Sequence, residues 1–133
     1  MLRRAQETDG AAVFELLWAA KDEIPLRPEF YNDDNKEWIS EECGKRHVWV
    51  IEERGSIIGA MLLQGDEIFY LVVSANHRHK GLARILLRKV IRKGRWAKVQ
   101  PANTAAVGLL KSEGFQYDRD LLTGSGWVAY RLQ

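Results

Sequence analysis

Hydrophobic positions along the chain change period several times, and each change marks an element. Leu2 to Ala5 reads as a short first strand. From Asp9-Gly10, Val13, Leu16, Leu17 and Trp18 recur at helical spacing, which predicts a helix to about Ala20 with those four buried. Ile24-Pro25-Leu26-Arg27-Pro28 ends it, because proline cannot continue a helix interior. A second, acidic helix is expected from Phe30 to Glu42. His47 to Ile51 and Ile57 to Leu63 read as a hairpin turning at Arg54-Gly55. A turn at Gln64-Gly65-Asp66 then leads into Ile68-Phe69-Tyr70-Leu71-Val72-Val73, an apolar, β-branched and aromatic run that predicts a buried strand.

Beyond that strand Leu82, Ile85, Leu86, Val90 and Ile91 return to helical spacing until Gly94 stops the pattern. Trp96 to Val99 is a short strand, followed by a helix from Asn103, an N-cap type, to Gly114, a C′ type. Phe115 to Leu122 and Trp127 to Leu132 close the chain as a hairpin around Gly124-Ser125-Gly126. There are no repeats, linkers or low-complexity segments.

At 133 residues the chain is expected to form one domain, 1–133, with a real core. The single Cys43 excludes an intrachain disulfide and a thiolate-rich metal cluster, which suits a reducing compartment. No apolar h-region follows Met1-Leu2-Arg3-Arg4, and no apolar run approaches the roughly 18–20 residues of a membrane span. The expectation is a cytoplasmic chain without membrane association.

Net charge is only +2, yet the two halves differ. Residues 1–67 carry 8 Lys/Arg against 15 Asp/Glu, a net of −7, whereas residues 68–133 carry 12 against 3, a net of +9. Such asymmetry points to two unlike partners, an anionic cofactor for the basic half and a cationic, amine-bearing substrate for the acidic one. The basic half holds the most informative stretch, Arg78-His79-Lys80-Gly81-Leu82-Ala83, a turn between the buried strand and the next helix. Unpaired N–H groups at a helix start, with the positive dipole end behind them, form a site for phosphate. No Asp or Glu occurs from Ile68 to Ser112, so no local carboxylate repels an anion.

Arg78-x-x-Gly81-x-Ala83, after a strand ending Val72-Val73, resembles the acetyl-CoA motif of the GNAT N-acetyltransferase superfamily. Asn103-x-x-Ala106-x-x-Leu109-Leu110-x-x-x-Gly114-Phe115 is similar to that family's second cofactor segment, at the expected separation. The resemblance implies an α/β (α+β) fold: a single GNAT-like domain with a mixed, mostly antiparallel central sheet of six to seven strands and about four helices. It implies acetyl-CoA as cofactor, its pyrophosphate on the amides of the turn formed by Arg78, His79, Lys80, Gly81, Leu82 and Ala83. Arg84 is a further contact, Leu71, Val72 and Val73 pair with the pantetheine arm, and Asn103 both caps its helix and touches pantetheine.

Acetyl transfer to an amine needs a proton removed, since an amine of pKa about 10.4 is only roughly 0.04% neutral at pH 7. Glu67, at the start of the motif strand and eleven residues before Arg78, matches the catalytic glutamate of some family members and is the candidate base. Its neighbour Asp66 points the other way on a strand. The resemblance also implies an N–H donor to the reacting carbonyl oxygen near Leu71, Val72 or Val73, where family members carry a bulge. One departure stands out. Many members have a general-acid Tyr five residues before the Phe of the second segment, and here that position is Leu110. Tyr70, Tyr117 and Tyr130 are the available substitutes.

Two other classes compete with direct transfer to a small-molecule or peptide amine. A fold that holds CoA without catalysing is supported by Leu110. A nucleic-acid-binding protein is suggested by ten Lys/Arg between Ile68 and Ser112, but the basic helix lacks interleaved aromatics and its apolar stripe is needed for the core. His77 and His79 have no carboxylate or cysteine nearby, so no metal site is expected. The acceptor's identity, which the family reads with the region from Lys21 to Glu42, is open, and so is the oligomeric state, homodimer included.

Overall fold

The computed structural model describes residues 1–24, 28–121, 123 and 126–133. Its centre is a seven-stranded sheet in the order β1-β2-β3-β4-β5-β7-β6. The strands are β1 (Leu2–Arg4), β2 (Val48–Glu53), β3 (Ser56–Gln64), β4 (Glu67–Val73), β5 (Trp96–Val99), β6 (Phe115–Tyr117) and β7 (Val128–Leu132). Every neighbouring pair is antiparallel except β4 with β5. Four helices flank it: α1 (Gly10–Ala19), α2 (Asp33–Gly44), α3 (Leu82–Lys89) and α4 (Thr104–Ser112). Strand number, mixed pairing and helix count are those expected.

Alternation along the strands divides the interior into two cores. Val48, Val50, Ala60, Leu62, Tyr70 and Val72 pack under α1 and α2 with Val13, Leu17, Ile39 and Cys43. Ile51, Ile58, Met61, Ile68, Ala97 and Val99 pack on the opposite face with Leu86, Leu87 and Leu110 of α3 and α4. α1 and α2 can approach closely because Gly10 has no side chain; a Cβ there would lie 2.6 Å from the Cα of Ser40.

Several boundaries differ from the sequence reading. On α1 the buried residues are Gly10, Val13 and Leu17; Leu16 is half-buried, and Trp18 is 48% exposed and lies edge-on to Tyr31. Trp18 is about 100° round the helix from Leu17 and so leaves the narrow buried stripe. The acidic helix begins at Asp33 because the side chain of Asn32 accepts a hydrogen bond from Asn35 N (2.8 Å), and Pro28–Phe30 forms a separate 3₁₀ turn. α3 ends at Lys89; Leu86 and Val90 of the expected stripe are buried, Leu87 is buried as well, and Ile85 and Ile91 are exposed. The hairpin turn at Arg54 and Gly55 has both residues at positive φ (52° and 80°), which suits the twist of the flanking strands. The strand expected from Phe115 to Leu122 ends at Tyr117, where a turn closed by Leu121 N donating to Asp118 O (3.3 Å) takes over. The proline break at residues 25–27, residue 122 and the turn at residues 124–125 lie outside the described residues.

Candidate active site

The site begins where β4 leaves its neighbour. β4 and β5 meet in register at Glu67 and Trp96, and the strands separate beyond that pair. A bulge assists the separation: Leu62 pairs with Tyr70 but Leu63 with Ile68, so Phe69 is an extra residue on β4. Its effect is visible in the packing, since Phe69 and Tyr70 both turn to the α1/α2 face while Ile68 and Leu71 turn to the other. The bulge thus lies two residues before the Leu71–Val73 segment. Ser74 N donates to Ile58 O on β3 (2.8 Å), and two-residue alternation turns Val72 toward β3 as well. That leaves the N–H and C=O groups of Leu71 and Val73 facing the gap. Val72 contributes a buried side chain instead.

At the far end of β4 the chain makes a 3₁₀ turn (Ala75–His77) and enters α3 through two left-handed residues, His79 (φ 64°) and Gly81 (φ 77°). Gly81 caps α3, and the first helical hydrogen bond runs from Ile85 N to Gly81 O (3.1 Å). The amides of Leu82, Ala83 and Arg84 therefore have no acceptor within the helix. A Cβ on Gly81 would have no heavy atom within 4 Å, so the turn is open in front of these amides.

The gap and the turn form one cleft of about 470 Å³. Leu71, Val72, Val73, Arg78, His79, Gly81, Leu82, Ala83, Arg84 and Asn103 all line it; Lys80 is exposed beyond its rim, and Glu67 lies just outside the lining, at the apex where the strands are still paired. α4 forms the facing wall through Ala105, Ala106, Leu109 and Leu110. Asn103 caps α4 by accepting from Ala106 N (3.2 Å). Arg78 reaches the carboxylate of Glu23 (2.7 Å), whose backbone oxygen accepts from Asn103 Nδ2 (3.4 Å). Both partners of the Arg78–Glu23 pair are well exposed, so an anion can displace it at a cost of about 0–1 kcal/mol.

The sequence matches the Acetyltransferase (GNAT) family over residues 11–115. The chain belongs to the GNAT acetyltransferase family. Solved structures share its fold: the ribosomal-protein-alanine N-acetyltransferase of Brucella melitensis is 19% identical with a TM-score of 0.76, covering 98% of this chain and 97% of that one. yncA from Salmonella typhimurium, solved with its cofactor acetyl-CoA, is 22% identical with a TM-score of 0.76, covering 100% and 94%. Diaminobutyrate acetyltransferase EctA from Paenibacillus lautus, in complex with L-2,4-diaminobutyric acid and coenzyme A, is 17% identical with a TM-score of 0.72, covering 98% and 92%. A search of curated protein sequences found no match.

Within this GNAT chain Glu67 occupies a nearly dry position. Its Oε2 is sealed from solvent and accepts no hydrogen bond among the described residues; the nearest cation, Lys98 Nζ on β5, is 3.9 Å away. Burial raises the Glu67 pKa above the ordinary carboxylate value, and the Lys98 charge pulls part of it back. None of the three candidate tyrosines is placed as an acid. Tyr70 borders the cleft, but its hydroxyl lies buried in the α1/α2 core with no hydrogen-bond partner among the described residues; burial, with Cys43 and Glu42 nearby, pushes its pKa up. Tyr117 is 55% exposed on an edge strand, and neither it nor Tyr130 lines the cleft. Leu110 does line it, and is buried.

The expected acidic attraction takes a different form. Glu29, Asp33, Asp34, Glu37, Glu41 and Glu42 do not reach the cleft; Glu23 is the one carboxylate among its described lining residues. The basic segment around α3 is partly neutralised from neighbouring elements, because Arg84 and Arg88 converge on Glu113 at the end of α4 and Arg92, just past α3, pairs with Asp66. The two guanidinium groups hold the Glu113 carboxyl below its ordinary pKa. Arg84 is thus on the cleft wall but already engaged. Two residues the sequence did not single out are Glu23, in the connection after α1, and Lys98. Only the β4/β5 register and the fold of that connection bring them to the cleft. No helix among the described residues is long and apolar enough to cross a membrane.

Proposed function

We propose that this GNAT protein is an acetyl-CoA-dependent N-acetyltransferase that acts by direct transfer to a primary amine. The observation that carries the reading is the continuous cleft joining the open edge of β4 to the α3 amides. Pyrophosphate fits those amides and the helix dipole behind them, with Arg78 released from Glu23 to add a charge-assisted contact. The pantetheine arm fits the edge groups of Leu71 and the N–H of Val73 as an added strand, with Val73 O already accepting from Arg78 Nε (3.4 Å), against the α4 wall that Asn103 caps.

Acetyl-CoA supplies a thioester whose carbon–sulfur bond breaks as a carbon–nitrogen bond forms to the acceptor. Of the two protons the ammonium group loses, one passes through Glu67 to solvent and the other ends on the departing thiol. A buried carboxylate with a raised pKa suits this role, because a base is most effective when its pKa approaches the working pH. A backbone N–H of Leu71 or Val73, facing the gap rather than β3, takes the charge gained by the carbonyl oxygen in this scheme. With Leu110 in place of an acid, the thiolate leaves unassisted. An ordinary thiol pKa near 8.5 makes that unfavourable by about 2 kcal/mol at pH 7.

The test is a screen of amines for thiol release from acetyl-CoA. Release that depends on an amine supports the transferase. Calorimetric binding of acetyl-CoA without release for any amine supports instead the CoA-holding module that Leu110 suggests.

A further inference from the structure

This inference rests on the transferase reading and adds the chemical class of the acceptor. Glu67 and Lys98 rise from adjacent strands on the same face of the splay, their Oε2 and Nζ atoms 3.9 Å apart. That is an ion pair too long for a hydrogen bond, and Glu67 Oε2 has no other partner among the described residues. Both side chains are largely buried, 15% and 25% exposed. Lys98 lines the cleft, with its ammonium 5.8 Å from the ring centroid of Phe69, the bulge residue that also lines it.

An acceptor that is only a cation meets a nearly neutral site here. Its attraction to Glu67 is opposed by repulsion from Lys98 at almost the same distance. The α2 carboxylates do not restore the balance, since they lie away from the cleft. A molecule with a carboxylate one carbon from its amine turns both charges to use. Its nitrogen addresses Glu67, its carboxylate takes donors from Lys98, and its side chain lies along Phe69. We infer that the acceptor is an amino acid or a similar aminocarboxylate, with Lys98 as the residue that reads its carboxylate. The carboxylate takes no part in the bond changes.

The experiment compares L-amino acids with their carboxamides as acceptors, with kcat/KM expressed per free amine because the two forms differ in amine pKa. The wild-type protein should favour the acid form by roughly ten- to a hundredfold, the scale of one buried charge-assisted contact. Lys98→Met should bring that ratio near unity, chiefly through KM for the acid, and Lys98→Arg should keep it. Melting curves check that each variant is folded. Equal use of acids and amides by the wild type overturns the inference while leaving the transferase intact. So does a Lys98→Met variant that slows both forms equally, because Lys98 then acts only through Glu67. Binding of acetyl-CoA with no transfer to either form contradicts the transferase reading itself.

Discussion

Glu67 and Trp96 are the point at which the two parallel strands of the sheet part. They form the β4–β5 register pair, and every residue of β4 beyond Glu67 lacks a partner on β5. The candidate base therefore stands at the apex of the opening whose edge is offered to the cofactor. Its pKa is raised because the same apex is dry.

Glu67→Gln is expected to lower kcat by about 10²–10⁴-fold near pH 7, the usual worth of general-base assistance. The deficit should shrink toward pH 9–10 as the acceptor deprotonates unaided. In the wild type, kcat/KM should fall as pH drops through the raised Glu67 pKa, since the protonated carboxyl cannot accept a proton. A Glu67→Gln variant with the wild-type pH–rate profile would remove the base assignment.

Gly81→Val separates binding from folding. The left-handed φ of 77° is costly for a β-branched residue, yet a Cβ there meets no neighbour, so the strain stays local at roughly 1–2 kcal/mol. The domain should remain folded by circular dichroism and lose acetyl-CoA binding by calorimetry. Unchanged affinity in a folded variant would refute the assignment of the α3 turn to phosphate.

Leu110→Tyr tests the missing acid. Leu110 is buried on the cleft wall, so a tyrosine there can point its hydroxyl into the opening. If thiolate departure limits the wild type, the variant should gain at most about thirtyfold in kcat, the equivalent of about 2 kcal/mol. No gain in a variant that still binds acetyl-CoA would mean that departure of the thiol is not limiting.

Asp9→Asn concerns the scaffold. Asp9 accepts from Arg3 through both oxygens (2.8 and 3.2 Å) and from Gln6 N (2.7 Å), tying β1 to the start of α1. Arg3 holds the Asp9 carboxyl below its ordinary pKa. The stabilisation is therefore complete above the unfolded pKa near ~3.9 and lost as pH falls through the lower folded value. Denaturant unfolding should show a loss of about 1–2 kcal/mol at pH 7, allowing for partial exposure of Arg3, with the gap closing in acid. An equal deficit at every pH would point to packing instead.

The sequence was most readable where one physical constraint acts alone. Gly81 and the run free of carboxylates mark the α3 turn, Asn103 and Gly114 mark the ends of α4, and alternation marks β4. It was least readable where two elements must meet. Phe69 looks like any strand residue until the β3 register makes it a bulge. Trp18 keeps helical spacing yet leaves the buried stripe, and Lys98 becomes a neighbour of Glu67 only through the single parallel pairing. The start of α2, expected at Phe30, lies at Asp33, because Asn32 acts as the cap that begins it there. The charge imbalance between the halves was real in sequence, but five of the fifteen carboxylates of the acidic half lie on α2, and among the described residues only Glu23 lines the cleft.

The central claim, transfer of acetyl from acetyl-CoA to an amine nitrogen, is tested most directly by single-turnover reaction with isotope-labelled acetyl-CoA and an amino acid acceptor. The account predicts one labelled N-acetyl product for each thiol released, with both appearing at the same rate. Thiol release with the label recovered as free acetate would make the protein a thioesterase and contradict the account.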